Sequence, residues 1–204
     1  MRCFIWFIMF LLPVSKAWAH NWYFDTSLQG LNRTPLQPGD TIFLRGGVIF
    51  PGPLRLPDGA IGRAQHPIVI TSYGLGRAVI DGGNGSAVTL YKASYIMLFS
   101  LELRGAGRKD GNKESGLVLN SCQHITARDL LVDGFQKSGV YIYRSSYIQI
   151  LSTMARDNGY AGIAVEGPYG THDCDHILIK DCRVENNPGD PTNLSNHSGN
   201  GIVA

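Results

Sequence analysis

From Val88 onward, apolar and polar residues alternate with a period of two, in short runs separated by Gly, Asn, Asp and Ser. That is the pattern of brief strands with one face turned inward, and no stretch carries the periodicity of an amphipathic helix. The runs themselves repeat. Ser115 to Lys137 and Ser138 to Tyr160 align without a gap at a period of about 23 residues. An imperfect copy precedes them from Ser86 to Gly105, another follows from Ala161 to Asn187, and a fifth begins at Asn200.

Set in register, the copies form apolar columns. One holds Ile96, Ile125, Ile148 and Ile177; the next inward position holds Leu98, Ala127, Ile150 and Ile179. Leu101, Leu130, Thr153 and Cys182 form a third, and Leu103, Val132, Ala155 and Val184 a fourth. Val88, Leu117, Val140, Ile163 and Ile202 run beside Leu90, Leu119, Ile142 and Val165. Each repeat therefore carries three short strands. Such strands cannot bury an apolar face alone, but coils stacked at the ~4.8 Å strand spacing make parallel sheets around a continuous core. The expected fold is all-β, a parallel β-helix solenoid.

The start of the chain follows a different pattern. Arg2, an apolar run from Phe4 to Val14 and the small-residue site ending at Ala19 predict a signal peptide over residues 1–19, with His20 as the first mature residue. The run is too short to span a bilayer, so the mature chain is expected to be secreted, with no stable membrane span. Residues 20–66 are expected to supply an opening strand around Trp22 to Phe24, a short cap and the first coil, and residues 67–204 the remaining coils. The last copy stops at Ala204 within a strand, which predicts a solenoid truncated at its C-terminus, a fragment of a longer one.

Composition narrows the partners. A net charge of +2 with 17% charged residues is too balanced for nucleic acid or an anionic membrane surface. Cys122, Cys174 and Cys182 fall on stacked columns too far apart for a disulfide and are expected to be small core residues. Asn32, Asn84, Asn193 and Asn196 begin N-x-Ser/Thr triplets, acceptors only where the source glycosylates exported proteins.

Three insertions break the period, at 106–114, 167–173 and 188–198, and all border the sheet carrying the Val88 column. Its outward positions are Thr89 and Tyr91, Val118 and Asn120, Tyr141 and Tyr143, Ala164 and Glu166. Tyrosines beside an amide and a carboxylate suit a sugar chain, because rings offer flat apolar platforms and polar groups hold hydroxyls. An ordinary ladder of tyrosines favoured by β-propensity would look the same. Arg104, Asp133, Arg156 and Glu185 line up at the end of the neighbouring strands. They are either self-paired surface charges or, through Arg104 or Arg156, a fork for a uronate carboxylate. Hydrolysis would need a carboxylate pair, for which Glu166 and Asp190 are the candidates. His197, in the long third insertion with Asp190, is a further catalytic candidate, whereas His176 shares the column of Tyr95, His124 and Tyr147 and is expected to stack.

The run from Pro38 to Gly47, followed by Pro67 to Gly74, Ala78 to Gly83 and the coils, resembles the N-terminal half of secreted right-handed parallel β-helix proteins of the pectate-lyase-like superfamily. The resemblance spans the chain from about Pro38 to its end. It implies right-handed coiling and a polysaccharide partner, but not one reaction, since that superfamily holds lyases, glycoside hydrolases, epimerases and non-catalytic proteins. Enzymes of this kind often use Lys or Arg as base, with calcium held by carboxylates. Here that implies Lys113 as base, Lys109 beside it, and Asp157, Asn158, Glu166, Glu185 and Asp190 as oxygen donors for Ca2+. Two classes stay open: a polysaccharide lyase or hydrolase, and a non-catalytic carbohydrate-binding or adhesin-like surface protein.

Overall fold

A computed structural model describes residues 19–108, 113–171, 173–190 and 198–204. The chain winds through three parallel sheets, one strand of each per turn. The first sheet has seven strands, Asn21–Phe24, Thr41–Arg45, Ile68–Tyr73, Ser94–Phe99, Gln123–Arg128, Ser146–Leu151 and Asp175–Lys180. The second has six, Ile49–Pro51, Ala78–Gly83, Leu101–Gly105, Leu131–Asp133, Met154–Arg156 and Arg183–Glu185. The third also has six, Leu54–Arg55, Val88–Tyr91, Leu117–Asn120, Ser138–Tyr143, Ala161–Glu166 and Asn200–Val203. Every pairing between these strands is parallel, and the described residues contain no α-helix.

The register is the one the columns predict. Ile125 lies between Ile96 and Ile148, Val132 between Leu103 and Ala155, and Leu117 between Val88 and Val140. These inward side chains are fully buried, and at about 1.5–3 kcal/mol for each large apolar side chain they supply most of the cohesion. The period-two pattern enforces this register, because a slip of one residue would turn every column outward. Leu31, from a short 3-10 helix at Leu31–Arg33, closes the core together with Trp22, Phe24, Leu28 and Leu36.

Two features extend the sequence reading. The first coil is complete, with strands at Ile49–Pro51 and Leu54–Arg55 too short for alternation to reveal. Its corners turn through left-handed glycines, Gly47 and Gly59, and those of later coils through residues such as Asp129, Asp157, Asp181 and Asn186, which tolerate that conformation better than most. Tyr95, His124, Tyr147 and His176 form the expected stack, with successive ring centroids 4.4, 4.6 and 4.4 Å apart. Cys122, Cys174 and Cys182 are free thiols. Cys122 is buried, and that burial pushes its thiol pKa up.

Truncating Ile148 to Ala, at the centre of the described coils, is expected to cost about 2–5 kcal/mol. Gln149→Ala, one residue on and outward, should stay within about 0.5 kcal/mol. Urea unfolding of both variants checks the pair, and equal losses would contradict the inward–outward assignment.

Candidate functional site

The corner between the second and third sheets is built on a column of buried groups, Phe135, Asn158 and Asn187, one per coil. Asn158 Oδ1 accepts from the Phe135 N–H at 3.1 Å, and its Nδ2 donates to the Val132 carbonyl at 3.3 Å. Asn187 Oδ1 accepts from the Asn158 N–H at 3.0 Å, and its Nδ2 donates to the Ala155 carbonyl at 3.2 Å. Asn158 Nδ2 also reaches Asn187 Oδ1 at 3.2 Å. Each amide satisfies backbone groups that the turn leaves unpaired, so the corner repeats with one shape. Glycine at 139 is part of the device, since a Cβ there would lie 2.8 Å from Asn158 Nδ2.

Hanging from this column are Gln136 and Lys137, then Gly159 and Tyr160, then Pro188 to Asp190. The Gly159 N–H donates to the Phe135 carbonyl at 2.8 Å, and the Gly189 N–H to the Gly159 carbonyl at 3.1 Å. A Cβ at 159 would sit 1.8 Å from the Gln136 carbonyl oxygen, so only glycine lets these turns approach. The insertions close on the same corner. Arg108 of the first donates to the Gly189 carbonyl of the third at 3.1 Å, the Lys137 N–H donates to the Glu114 carbonyl at 3.3 Å, and Gln136 Nε2 donates to Asp190 Oδ1 at 2.8 Å.

Between them lies a cleft of about 420 Å³, walled by Ser115, Lys137, Ser138, Tyr141, Tyr160, Glu166 and Asp190. The Tyr141 hydroxyl donates to Glu166 Oε2 at 3.1 Å, reaching diagonally to the next strand, and Tyr160 lines the same cleft beside that carboxylate. Burial, reinforced by the charge of Glu166 and the hydrogen bond to it, pushes the pKa of Tyr141 far above the ordinary phenol value; Tyr160 moves the same way for the same causes. Both phenols are therefore held as proton donors. Ser138 Oγ is buried in the cleft wall and has no hydrogen-bond partner among the described residues.

The sequence candidates divide. Tyr141, Glu166 and Asp190 share the cleft. Tyr91, Asn120 and Tyr143 are outward on the same sheet, in register with one another, but outside the cleft wall. There Lys92 lies 5.0 Å from the Tyr91 ring, Arg144 lies 5.7 Å from the Tyr143 ring, and Asn120 accepts from the Ser121 hydroxyl. Ala164, expected outward, is fully buried; Tyr141 stands beside it in the ladder and reaches across to Glu166.

Lys113 is exposed, its N–H reaching the Asn84 carbonyl at 3.5 Å, and it is not among the residues walling the cleft. On the second sheet Arg156 pairs with Asp133 at 3.5 Å within the charged column, whereas Arg104 pairs outside it, with Glu102 on its own strand. His197 and Lys109 lie outside the described residues. The calcium donors do not converge: Asp157 accepts from Asn186, Asn158 is sealed in the corner column, and Glu185 pairs with Arg183 at 2.6 Å. Among the described residues no group of three or more His, Cys, Asp and Glu is arranged to hold a metal.

Sequence reasoning missed Lys137 and Tyr160, which sit at corners rather than on strands, and Ser138, the first residue of its strand. The available signal was the column itself: in the aligned copies Lys137 and Tyr160 are equivalent, each directly before the third strand of its coil.

The family model described as "Right handed beta helix region" matches residues 115–204. The fold is a right-handed β-helix. Solved structures agree. An alginate lyase from Paenibacillus sp. str. FPU-7 superposes with a TM-score of 0.66 at 18% identity, over 90% of this chain and 74% of that one. Pectate lyase Pel9A gives 0.63 at 16% identity, over 84% of this chain and 49% of that one. GH136 lacto-N-biosidase from Eubacterium ramulus gives 0.62 at 19%, over 80% and 41%. The β-helix described here thus spans under half of the latter two proteins, and at these identities the likeness is one of fold. No curated protein matches the sequence. The described residues of this β-helix include no helix long and apolar enough to cross a membrane.

Asn158→Ala should cost on the order of 3 kcal/mol, because it strands the Phe135 N–H and the Val132 carbonyl in a dry corner; denaturant unfolding reads this directly. In an alkaline titration followed by phenolate absorbance, Tyr141→Phe and Tyr160→Phe should each remove a late-titrating group. The folded pKa values lie above the unfolded ones, so this contribution to stability is complete below the ordinary phenol value of 10.0 and is lost as pH rises toward the folded values.

Proposed function

We propose that this β-helix binds an acidic polysaccharide in the corner cleft and cleaves it by β-elimination, as an exported protein. The reading is carried by the convergence of two protonated tyrosines on Glu166 in a cleft that also contains a lysine. Elimination next to a uronate needs a cation for the carboxylate, a base for the C5 proton and an acid for the departing O4. Lys137 supplies the cation. Glu166 takes the C5 proton as the C4–O4 bond breaks and the C4=C5 double bond forms, while Tyr160 gives its proton to O4. The proton on the Glu166 carboxyl group then passes to the Tyr160 phenolate across the cleft, restoring both. The fold likeness to an alginate lyase and a pectate lyase supports the same class of substrate.

A second reading has one observation in its favour. Glu166 and Asp190 wall the same cleft, as a hydrolase would require.

Incubating the protein with pectate, alginate and glycosaminoglycans, with and without added calcium, and following absorbance of unsaturated uronate should show a rise with at least one polymer. Tyr160→Phe and Glu166→Gln should each lower that rate about 10²- to 10⁴-fold, the range for a lost acid or base. New reducing ends without absorbance would replace elimination with hydrolysis. Polymer retention without either product would leave a binding protein and overturn the catalytic reading.

A further inference from the structure

Far from the cleft, the fold buries a carboxylate whose surroundings are unusual. Asp40 is fully buried at the start of the second strand of the first sheet. Its Oδ1 accepts from the His20 backbone N–H at 2.7 Å, and its Oδ2 accepts from Trp22 Nε1 at 3.1 Å and the Gln37 N–H at 2.9 Å. An ionised carboxylate withdrawn from water needs a counter-charge as well as hydrogen bonds. Among the described residues, the cation-capable group within 4 Å of Asp40 is the His20 imidazole, its Nδ1 3.8 Å away on a side chain more than half exposed.

The shortest of the three bonds comes from the main-chain nitrogen of His20, and His20 follows the small-residue site at which residues 1–19 are expected to be cut. In an uncut chain that nitrogen is a neutral amide. After cleavage it is an α-ammonium, already in hydrogen-bond contact with the buried carboxylate, while Thr41 holds the next group of the same residue, its N–H donating to the His20 carbonyl at 2.9 Å. We propose that the bond between Ala19 and His20 is a processing site and that Asp40 is the receptor for the new N-terminal ammonium, so that removal of the leader completes the ion pair that clamps the opening strand to the solenoid. Hydrolysis of the Ala19–His20 peptide consumes one water, leaving a carboxylate on the released leader and the amine on the mature chain.

The turn presenting Asp40 fits this role. Gly39 adopts a left-handed φ of 95°, and a Cβ there would lie 3.1 Å from the Ala19 Cβ and 3.7 Å from the His66 Cβ. The side chains facing the pair are the imidazole of His20 and the indole of Trp22. The ion pair would join a strand of only four residues, Asn21–Phe24, to the rest of the first sheet, where Trp22 and Phe24 cover one end of the core.

The inference rests on the leader reading of residues 1–19, and the test separates the two. The full gene is expressed with its own leader in an export-competent bacterial host, and the intact mass of the exported protein is measured. A chain beginning at His20 is expected; one beginning elsewhere, or one retaining the leader, overturns the proposal at its first step. The α-amine of the mature protein should then react with acetic anhydride at least about tenfold more slowly than the same amine in the unfolded chain, since each unit of pKa elevation reduces free amine tenfold. Equal rates would show that the leader is cut but Asp40 does not hold the terminus. Inserting Gly-Ser after Ala19, which moves the ammonium two residues away, should lower Tm by roughly 4 °C or more. If that variant is not exported, Asp40→Asn is read instead by amine labelling at unchanged far-UV circular dichroism, and it should restore the fast rate; retained protection in Asp40→Asn would refute the pairing.

Discussion

No strand in this protein is long enough to be stable alone, so each depends on coil-to-coil register. Parallel strands of two to six residues stack, and the apolar side chain of one coil rests on that of the next. The core is therefore a set of columns rather than a layer between two sheets. Ile96, Ile125 and Ile148 are buried because each has the other above or below it. Cooperativity then runs along the axis, each coil contributing to the burial of its neighbours, and the N-terminal cap of Leu31, Trp22 and Phe24 serves the coil that has no neighbour before it.

Stacking apolar groups leaves the corners to be solved, since a chain turning three times per coil exposes backbone donors and acceptors that no ladder satisfies. This protein answers with side chains that mimic backbone. Asn158 and Asn187 do so at the corner of the second and third sheets, Ser145 accepts from the Cys122 N–H at 3.0 Å, and Thr153 accepts from the Leu130 N–H at 3.4 Å. Because the asparagines repeat in register, the turns they support also repeat, and functional groups on those turns are brought into line. The cleft follows from that alignment: Lys137 and Tyr160 occupy the same place in successive coils, and the insertions add Glu114 and Asp190 around them.

The chemistry of the cleft depends on unequal environments. Glu166 is half-buried and carries the charge; Tyr141 and Tyr160 beside it are pushed toward the neutral form by burial and by that charge. A carboxylate that accepts from the Tyr141 phenol is held in place, and phenols pushed toward the neutral form remain donors. Arg104 and Arg156, by contrast, pair with Glu102 and Asp133 on a different sheet, where exposed pairs add little. Ionisable residues thus pair with one another on one sheet and line a cleft on another, according to what surrounds them.

What the sequence determined by itself was the coil. A period of two inside a period of about 23 leaves few alternatives, because register and burial are both functions of spacing along the chain. The columns, the three strands per coil, the stacked Tyr95, His124, Tyr147 and His176, the free thiols and the sheet bordered by insertions were all legible that way. So was Glu166 beside Tyr141, since outward positions two apart on neighbouring strands must be close. Only the tertiary structure decided which of these residues share a cleft. Lys137 and Tyr160 lie at corners, where the strand period stops predicting direction, and the folding of one insertion onto another, as Arg108 reaches Gly189, is set by contacts between residues 81 apart. Asp40 shows the same limit: as a letter it belongs to a turn, and only the packed structure reveals that it is buried against the nitrogen of His20, because burial of a single charge is a property of everything around it.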